Sequence, residues 1–266
     1  MLETVPRAPG RLESAIRERM AVGHPAVSAF FTAGYPTKSG FADLLQRAAS
    51  VSTMIEVGVP FSDPLADGVT IQASSRVALE NGVTLPWILD TLASTGLTRP
   101  VVIMSYMNPL LAYGLEALAT DARDAGVAGV IVPDLPYEEC NPLRRALDSV
   151  NIALVQLVTP VTPMPRMAKL CDASRGFVYA VTMTGTTGRA AEPSPDVLTY
   201  LDRVRDASTV PVLAGFGIRE RSQVEALSPH VDGVIVGSAL IQLLEQGKDP
   251  VALLRTLGTD GTERTE

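Results

Sequence analysis

Eight short apolar runs recur along this chain with helix-length segments between them, and that rhythm restricts the fold more than any other feature. They are VSAFFTAG (27–34), STMIEVGVP (52–60), PVVIMSYMNP (100–109), AGVIVPDLP (128–136), IALVQLVTP (152–160), GFVYAVTM (176–183), VPVLAGFG (210–217) and VDGVIVGSA (231–239). Each is nearly continuous in Val, Ile or aromatic residues rather than alternating, as parallel strands covered by helices should be. The intervening segments read as helices: in GLEALATDARDAG (114–126), Leu115, Leu118 and Ala122 share one face and Gly126 suits the stop. Eight strand–helix units in roughly 250 residues match a single (β/α)8 TIM barrel with right-handed connections, a doubly wound sheet being the alternative. Leu12, Ile16 and Met20, at i, i+4 and i+8, predict an extra N-terminal helix over one end of that barrel. All 266 residues are assigned to one domain, with flexible ends expected at 1–10 and 258–266 and no linker inside 26–257.

With a net charge of −7 and scattered basic residues, the chain offers nucleic acid no basic stripe. The N-terminal residues 1–20 lack an apolar core of signal-peptide length, and no stretch approaches the roughly 18 apolar residues of a membrane helix, so a soluble cytoplasmic protein is expected. Cys140 and Cys171 stand far apart without CxxC spacing, and His24 and His230 belong to no ligand-like cluster. Neither a metal site nor a disulfide framework is expected.

Charged, hydroxylic and glycine residues gather where the runs end, which in such a barrel is the catalytic face. In EVGVPFSDPLADG (56–68), Glu56 stands inside an apolar run and Asp67 in a loop stiffened by Pro60 and Pro64. Glu56 reads as a general acid–base whose pKa burial would raise toward neutrality, or equally as half of an internal salt bridge. Asp67 reads as its catalytic companion or as a turn or helix-cap residue. LAGFGIRE and IVGSALIQ follow the last two strands and set Gly217 and Gly237 just before helices, where free N–H groups bind phosphate and Ser238 can add a hydroxyl donor. GFGIRE lacks the third glycine of a dinucleotide fingerprint. TGTTGRAAEPSPD (184–196), which includes Arg189, reads as a lid that could close over substrate.

The ExGVPFSDPLADG segment, Gly34-Tyr35-Pro36, YMNP (106–109), IVPDLP (131–136), GFGI (215–218) and VGSA (236–239) occur in an order that closely resembles the tryptophan synthase α chain family, over roughly residues 12–256. The resemblance implies a TIM barrel that cleaves indole-3-glycerol phosphate to indole and glyceraldehyde 3-phosphate and passes indole to a β chain. It implies Glu56 as acid–base group, Asp67 as the carboxylate on the indole N–H, and Gly188, Gly217, Gly237 and Ser238 around the phosphate. Phe30, Met104, Tyr106, Asp134, Tyr179, Thr187 and Phe216 would line or support the indole pocket, although barrel-core packing could also account for most of them. Asp63, Pro64, Asn108 and Pro109 would face the β chain in an α2β2 tetramer, with pyridoxal phosphate confined to that partner and no cofactor in this chain. Met183 and Thr184 stand where some family members carry Arg and Ser, so the lid's closed contacts do not transfer.

Cleaving a carbon–carbon bond in aldol fashion needs an electron sink, commonly a lysine Schiff base or a metal. Lys38, Lys169 and Lys248 lie away from the strand tips and two scattered histidines cannot hold zinc, so the sink falls to the substrate's indole, protonated at C3. Docking of the β chain on the loop that carries Asp67 would then raise activity by ordering that carboxylate. Two other readings are a non-catalytic activating subunit of the β chain and another sugar-phosphate barrel enzyme. The presence of both Glu56 and Asp67 in the PFSDPLADG frame favours the lyase over either.

Overall fold

The computed structural model describes residues 9–182, 193–215 and 217–258. Every predicted run supplies one strand: β1 Ala26–Thr32, β2 Met54–Gly58, β3 Val101–Met104, β4 Val127–Ile131, β5 Ala153–Val158, β6 Val178–Val181, β7 Val212–Gly215 and β8 Gly233–Val236. They pair in sequence order, all parallel, and β1 also pairs with β8, so the sheet closes into a barrel and the doubly wound alternative falls.

The runs look continuous because both faces of each strand are buried. Outward residues such as Val27, Ala29, Phe31, Ile55 and Val57 pack under the helices. Inward residues, among them Ala26, Met54, Val102, Val155, Phe177, Leu213 and Ile235, fill the barrel as a second core. Glu56 alternates with outward Ile55 and Val57 and is in register with Phe30 of β1, so it projects inward.

The described helices are α1 Arg11–Ala21, α2 Lys38–Ala49, α3 Val69–Glu80, α4 Leu85–Thr95, α5 Met107–Tyr113, α6 Leu115–Asp124, α7 Asn141–Ser149, α8 Met164–Ala173, α9 Pro195–Ala207, α10 Arg221–Leu227, α11 Ser238–Glu245 and α12 Pro250–Gly258. The simple strand–helix alternation is thus embellished: two helices follow each of β2, β3 and β8. In α6, Leu118 and Ala122 are buried as their spacing predicts, and Gly126 takes φ +78° at the stop. Helix α12 runs to Gly258, one residue into the end expected to be flexible.

The extra N-terminal helix is α1. Its Leu12 and Ile16 are buried and join the inner core, with Met20 packed beside them. Two glycines make room for Leu12: a Cβ at Gly176 would stand 2.6 Å, and one at Gly129 2.9 Å, from Leu12 Cδ2. Gly176 precedes β6 and Gly129 is in register with Ala153 at the start of β5, so α1 plugs the N-terminal end and leaves the C-terminal mouth for ligands.

Candidate active site

Glu56 sits in the middle of β2, 1% exposed, and its Oε2 is buried without a hydrogen-bond partner among the described residues. No cation among the described residues pairs with it, which weighs against the internal salt-bridge reading. Desolvation, reinforced by the negative charge of Asp67, raises its carboxyl from the usual 4.5 to about 8.

Asp67 lies in the loop between β2 and α3, where its N–H closes a turn on the Pro64 carbonyl at 3.1 Å. Tyr106, just after β3, donates its hydroxyl to Asp67 Oδ2 at 3.1 Å and accepts the Ala66 N–H at 2.9 Å. The Tyr106 ring stacks on Phe61 of the same loop, centroids 5.2 Å apart. One side chain from just past the next strand therefore holds this loop at three points. Burial raises the Asp67 carboxyl to about 6, against the lowering effect of the Tyr106 hydrogen bond. Helix α3 takes Gly68 as its N-cap and has no side-chain cap, so Asp67 is not a helix-cap residue.

Two aromatics fill the mouth over glycines. A Cβ at Gly58 would stand 2.6 Å from Phe30 Cζ, and one at Gly215 2.2 Å from the Tyr179 hydroxyl. Met104, at the end of β3, packs against the inner core together with Tyr179. Burial and then the charges of Glu56 and Asp67 push the Tyr179 phenol well above its usual range, so it stays neutral. Asp134 is exposed instead: its Oδ1 accepts the Met107 N–H at 2.9 Å at the start of α5. It braces the corner that carries Tyr106 and does not line the interior.

The two glycine loops differ. Gly237 directly N-caps α11, which begins at Ser238 and has no side-chain cap, so its first N–H groups face the mouth. Gly217, at φ +80°, stands four residues before α10 rather than just before it. Gln223 already occupies that approach, accepting the N–H groups of Arg219 and Glu220 at 2.8 and 3.1 Å. Thr187, Gly188, Phe216 and the lid's Met183, Thr184 and Arg189 lie outside the described residues.

Asp63 is exposed and bonded to Ser62, and Pro64 is half-buried beside it. Asn108 and Pro109 belong to the first turn of α5, so the apolar run at 100–109 is strand only as far as Met104. Leu65, 94% exposed, and Val69, 72% exposed, flank Asp67, a signal the apolar patterning of the sequence did not single out. Lys38 lies over the Trp87 ring and donates to the Gly82 carbonyl, and Lys169 lies over Tyr137 beside Glu138. Cys140 and Cys171 are buried free thiols, both pushed up by burial.

A sequence profile described as "Tryptophan synthase alpha chain" matches residues 16–258. A tryptophan synthase alpha chain of Nitratidesulfovibrio vulgaris is 46% identical over 248 residues, 92% of this chain and 96% of that one. One from Bacillus cereus is 46% identical over 199 residues, 74% of this chain and 77% of that one. Among solved structures, a chain of Mycobacterium tuberculosis tryptophan synthase superposes with TM-score 0.87 at 34% identity, covering 94% of this chain and 97% of that chain.

Proposed function

This chain belongs to the tryptophan synthase alpha chain family, and from that premise we propose that Glu56 and Asp67 carry its reaction. The reaction is the retro-aldol cleavage of indole-3-glycerol phosphate to indole and glyceraldehyde 3-phosphate, a lyase step of tryptophan biosynthesis. The observation that supports the assignment is a fully buried carboxylate with an unpartnered oxygen, aimed into the barrel.

Glu56, protonated near neutrality, gives its proton to indole C3. The positive charge spreads to the ring nitrogen, where Asp67, ionised above about 6, accepts the N–H and stabilises it. Glu56, now a carboxylate, takes the proton of the side-chain hydroxyl. The bond between C3 and that carbon breaks, its electrons restore the indole, and the hydroxyl carbon becomes the aldehyde. The proton count closes on Glu56 alone. Pushing the two carboxyls apart, to about 8 and about 6, suits one to proton transfer and the other to charge. The substrate supplies its own electron sink, so we read the chain as working without a cofactor.

Phe30, Met104 and Tyr179 suit an apolar wall for the indole, and the start of α11 at Gly237 and Ser238, together with Gly217, suits its phosphate. Thr187, Gly188 and Phe216 complete the site in this reading. A β chain is the partner that membership of the family implies. We assign it the loop bearing Asp63 and Pro64 and the start of α5 at Asn108 and Pro109, in an α2β2 assembly where the β chain holds pyridoxal phosphate. No described helix is long and apolar enough to cross a membrane, and we place the enzyme in the cytoplasm.

The test is indole release from indole-3-glycerol phosphate by wild type, Glu56→Gln and Asp67→Asn, with and without the β chain. Both variants are expected to lose about two orders of magnitude or more in turnover while staying folded. Near-normal turnover in either would remove that residue from the mechanism, and no release by wild type in either setting would favour the docking-only reading.

A further inference from the structure

The described residues contain a second polar path between the phosphate side and the Asp67 side of the mouth, outside both carboxylates. It starts at the turn after β7, where Gln223 donates to the Gly217 carbonyl at 3.3 Å and accepts from Arg219 N–H. Arg219 Nη1 donates to Gln242 Oε1 at 2.6 Å. Gln242 belongs to α11, one turn beyond Ser238, and its Nε2 donates to Thr70 Oγ1 at 3.2 Å. Thr70 is the second residue of α3, two positions after the N-cap Gly68. The same first turn holds the loop behind it, through Gln72 Nε2 donating to the Asp67 carbonyl at 2.8 Å.

The Gln242 amide is the link in that path that joins the turn after β7 to α3. Its oxygen is taken by a guanidinium, which only donates, so the amide cannot turn over without setting its NH2 against Arg219 and losing that bond. All three side chains are half-buried, where hydrogen bonds are less diluted by water than at the surface. The bond from Arg219 is charge-assisted and short, which makes it the stiff end of the bridge. Helix α11 packs on α3 and on β1, so a shift at the phosphate end of α11 has a direct mechanical route to α3.

From this geometry we propose that Gln242 is a positioning residue: it locks α11 and the turn after β7 to the first turn of α3, so that phosphate engagement fixes the pose of Asp67. The inference rests on the assignment of Asp67 and of the phosphate loops made above. Gln242 touches no reacting atom. Its effect is to couple two halves of one substrate: binding energy from the phosphate is used to hold the carboxylate that serves the indole nitrogen.

Three variants separate the bridge from general packing. Gln242→Met keeps size and removes both bonds. Gln242→Glu keeps an acceptor for Arg219 and accepts the Thr70 hydroxyl proton, so it should restore function. Thr70→Val breaks only the α3 end. With wild type confirmed active in indole release, Gln242→Met and Thr70→Val are each expected to lower kcat about 3- to 30-fold, with KM changed less than about 2-fold and the inhibition constant of inorganic phosphate unchanged. The double variant should be no slower than the slower single, and Gln242→Glu should recover most of the loss. Saturating inorganic phosphate should slow amide hydrogen exchange at residues 66–71 in wild type but not in Gln242→Met.

Additive kcat losses in the double variant, unchanged kcat, or phosphate-induced protection that survives Gln242→Met would each overturn the coupling. Wild type without indole release would instead overturn the assignment on which it rests, and the two failures are distinguishable because only the second involves the unaltered protein.

Discussion

At Glu56, chemistry and stability pull in opposite directions. In the unfolded chain the carboxyl has its usual 4.5, and in the fold about 8. A folded-state value raised in this way contributes stability fully below the unfolded value and loses it as pH climbs toward the folded one. Glu56→Gln removes that loss. Thermal unfolding midpoints should therefore exceed those of wild type by a margin that grows from about pH 5 to about pH 8, even as turnover collapses. A margin independent of pH would mean that burial is not the cause. Tyr106→Phe takes away the one hydrogen bond that lowers Asp67, so its carboxyl should rise above about 6 and the acid limb of the kcat/KM profile should move to higher pH. Glu56 and Asp67 were legible because a carboxylate inside an apolar run and another in a Pro-stiffened loop are unusual in themselves. The grip of Tyr106 was not legible: it spans 39 positions and depends on where β3 ends beside the loop.

Among the elements, α1 tests whether a helix outside the barrel repeat contributes to the core. Gly129→Ala would put a Cβ against Leu12 and should destabilise the protein by roughly 1–3 kcal/mol. In a Leu12→Ala background the same change should cost at least about 0.5 kcal/mol less, read by denaturant unfolding of all four proteins. Equal costs would mean that Gly129 is needed for another reason. The helix itself was readable from Leu12, Ile16 and Met20, since a 3.6-residue period is a local property. The doubled helices after β2, β3 and β8 were not, because breaks such as Gly82 and Gly114, both at positive φ, look like ordinary turn residues in a one-dimensional pattern. The same limit explains the glycine loops: Gly237 caps α11 as its place before Ser238 suggested, whereas α10 begins four residues after Gly217 because Gln223 takes up the intervening N–H groups.

For the whole molecule, the loop that holds Asp67 and the start of α3 present Leu65 and Val69 to solvent, an arrangement that would tie partner contact to the proposed role of Asp67 if the β chain docks there. Adding the β chain should raise indole release, and Leu65→Asp should cut that stimulation several-fold while leaving the basal rate within about 2-fold, since Leu65 is almost wholly exposed and its replacement costs the fold little. Equal stimulation of both proteins would move the contact elsewhere.

From the sequence alone follow the number of strands, the parallel arrangement, the plugging helix and the two carboxylates. All of these are written in residue type and in periods of a few positions. Closure into a barrel, which the eight-unit count predicted over a doubly wound sheet, is realised by β1 meeting β8 across more than 200 residues. The tertiary structure alone decided that Glu56 Oε2 has no hydrogen-bond partner among the described residues, that Asp134 braces the start of α5, and that Gln242 bridges Arg219 to Thr70. Each of these turns on which side chains meet through space, and the pKa of a carboxyl or the partner of an amide is set by that neighbourhood and not by the order of residues along the chain.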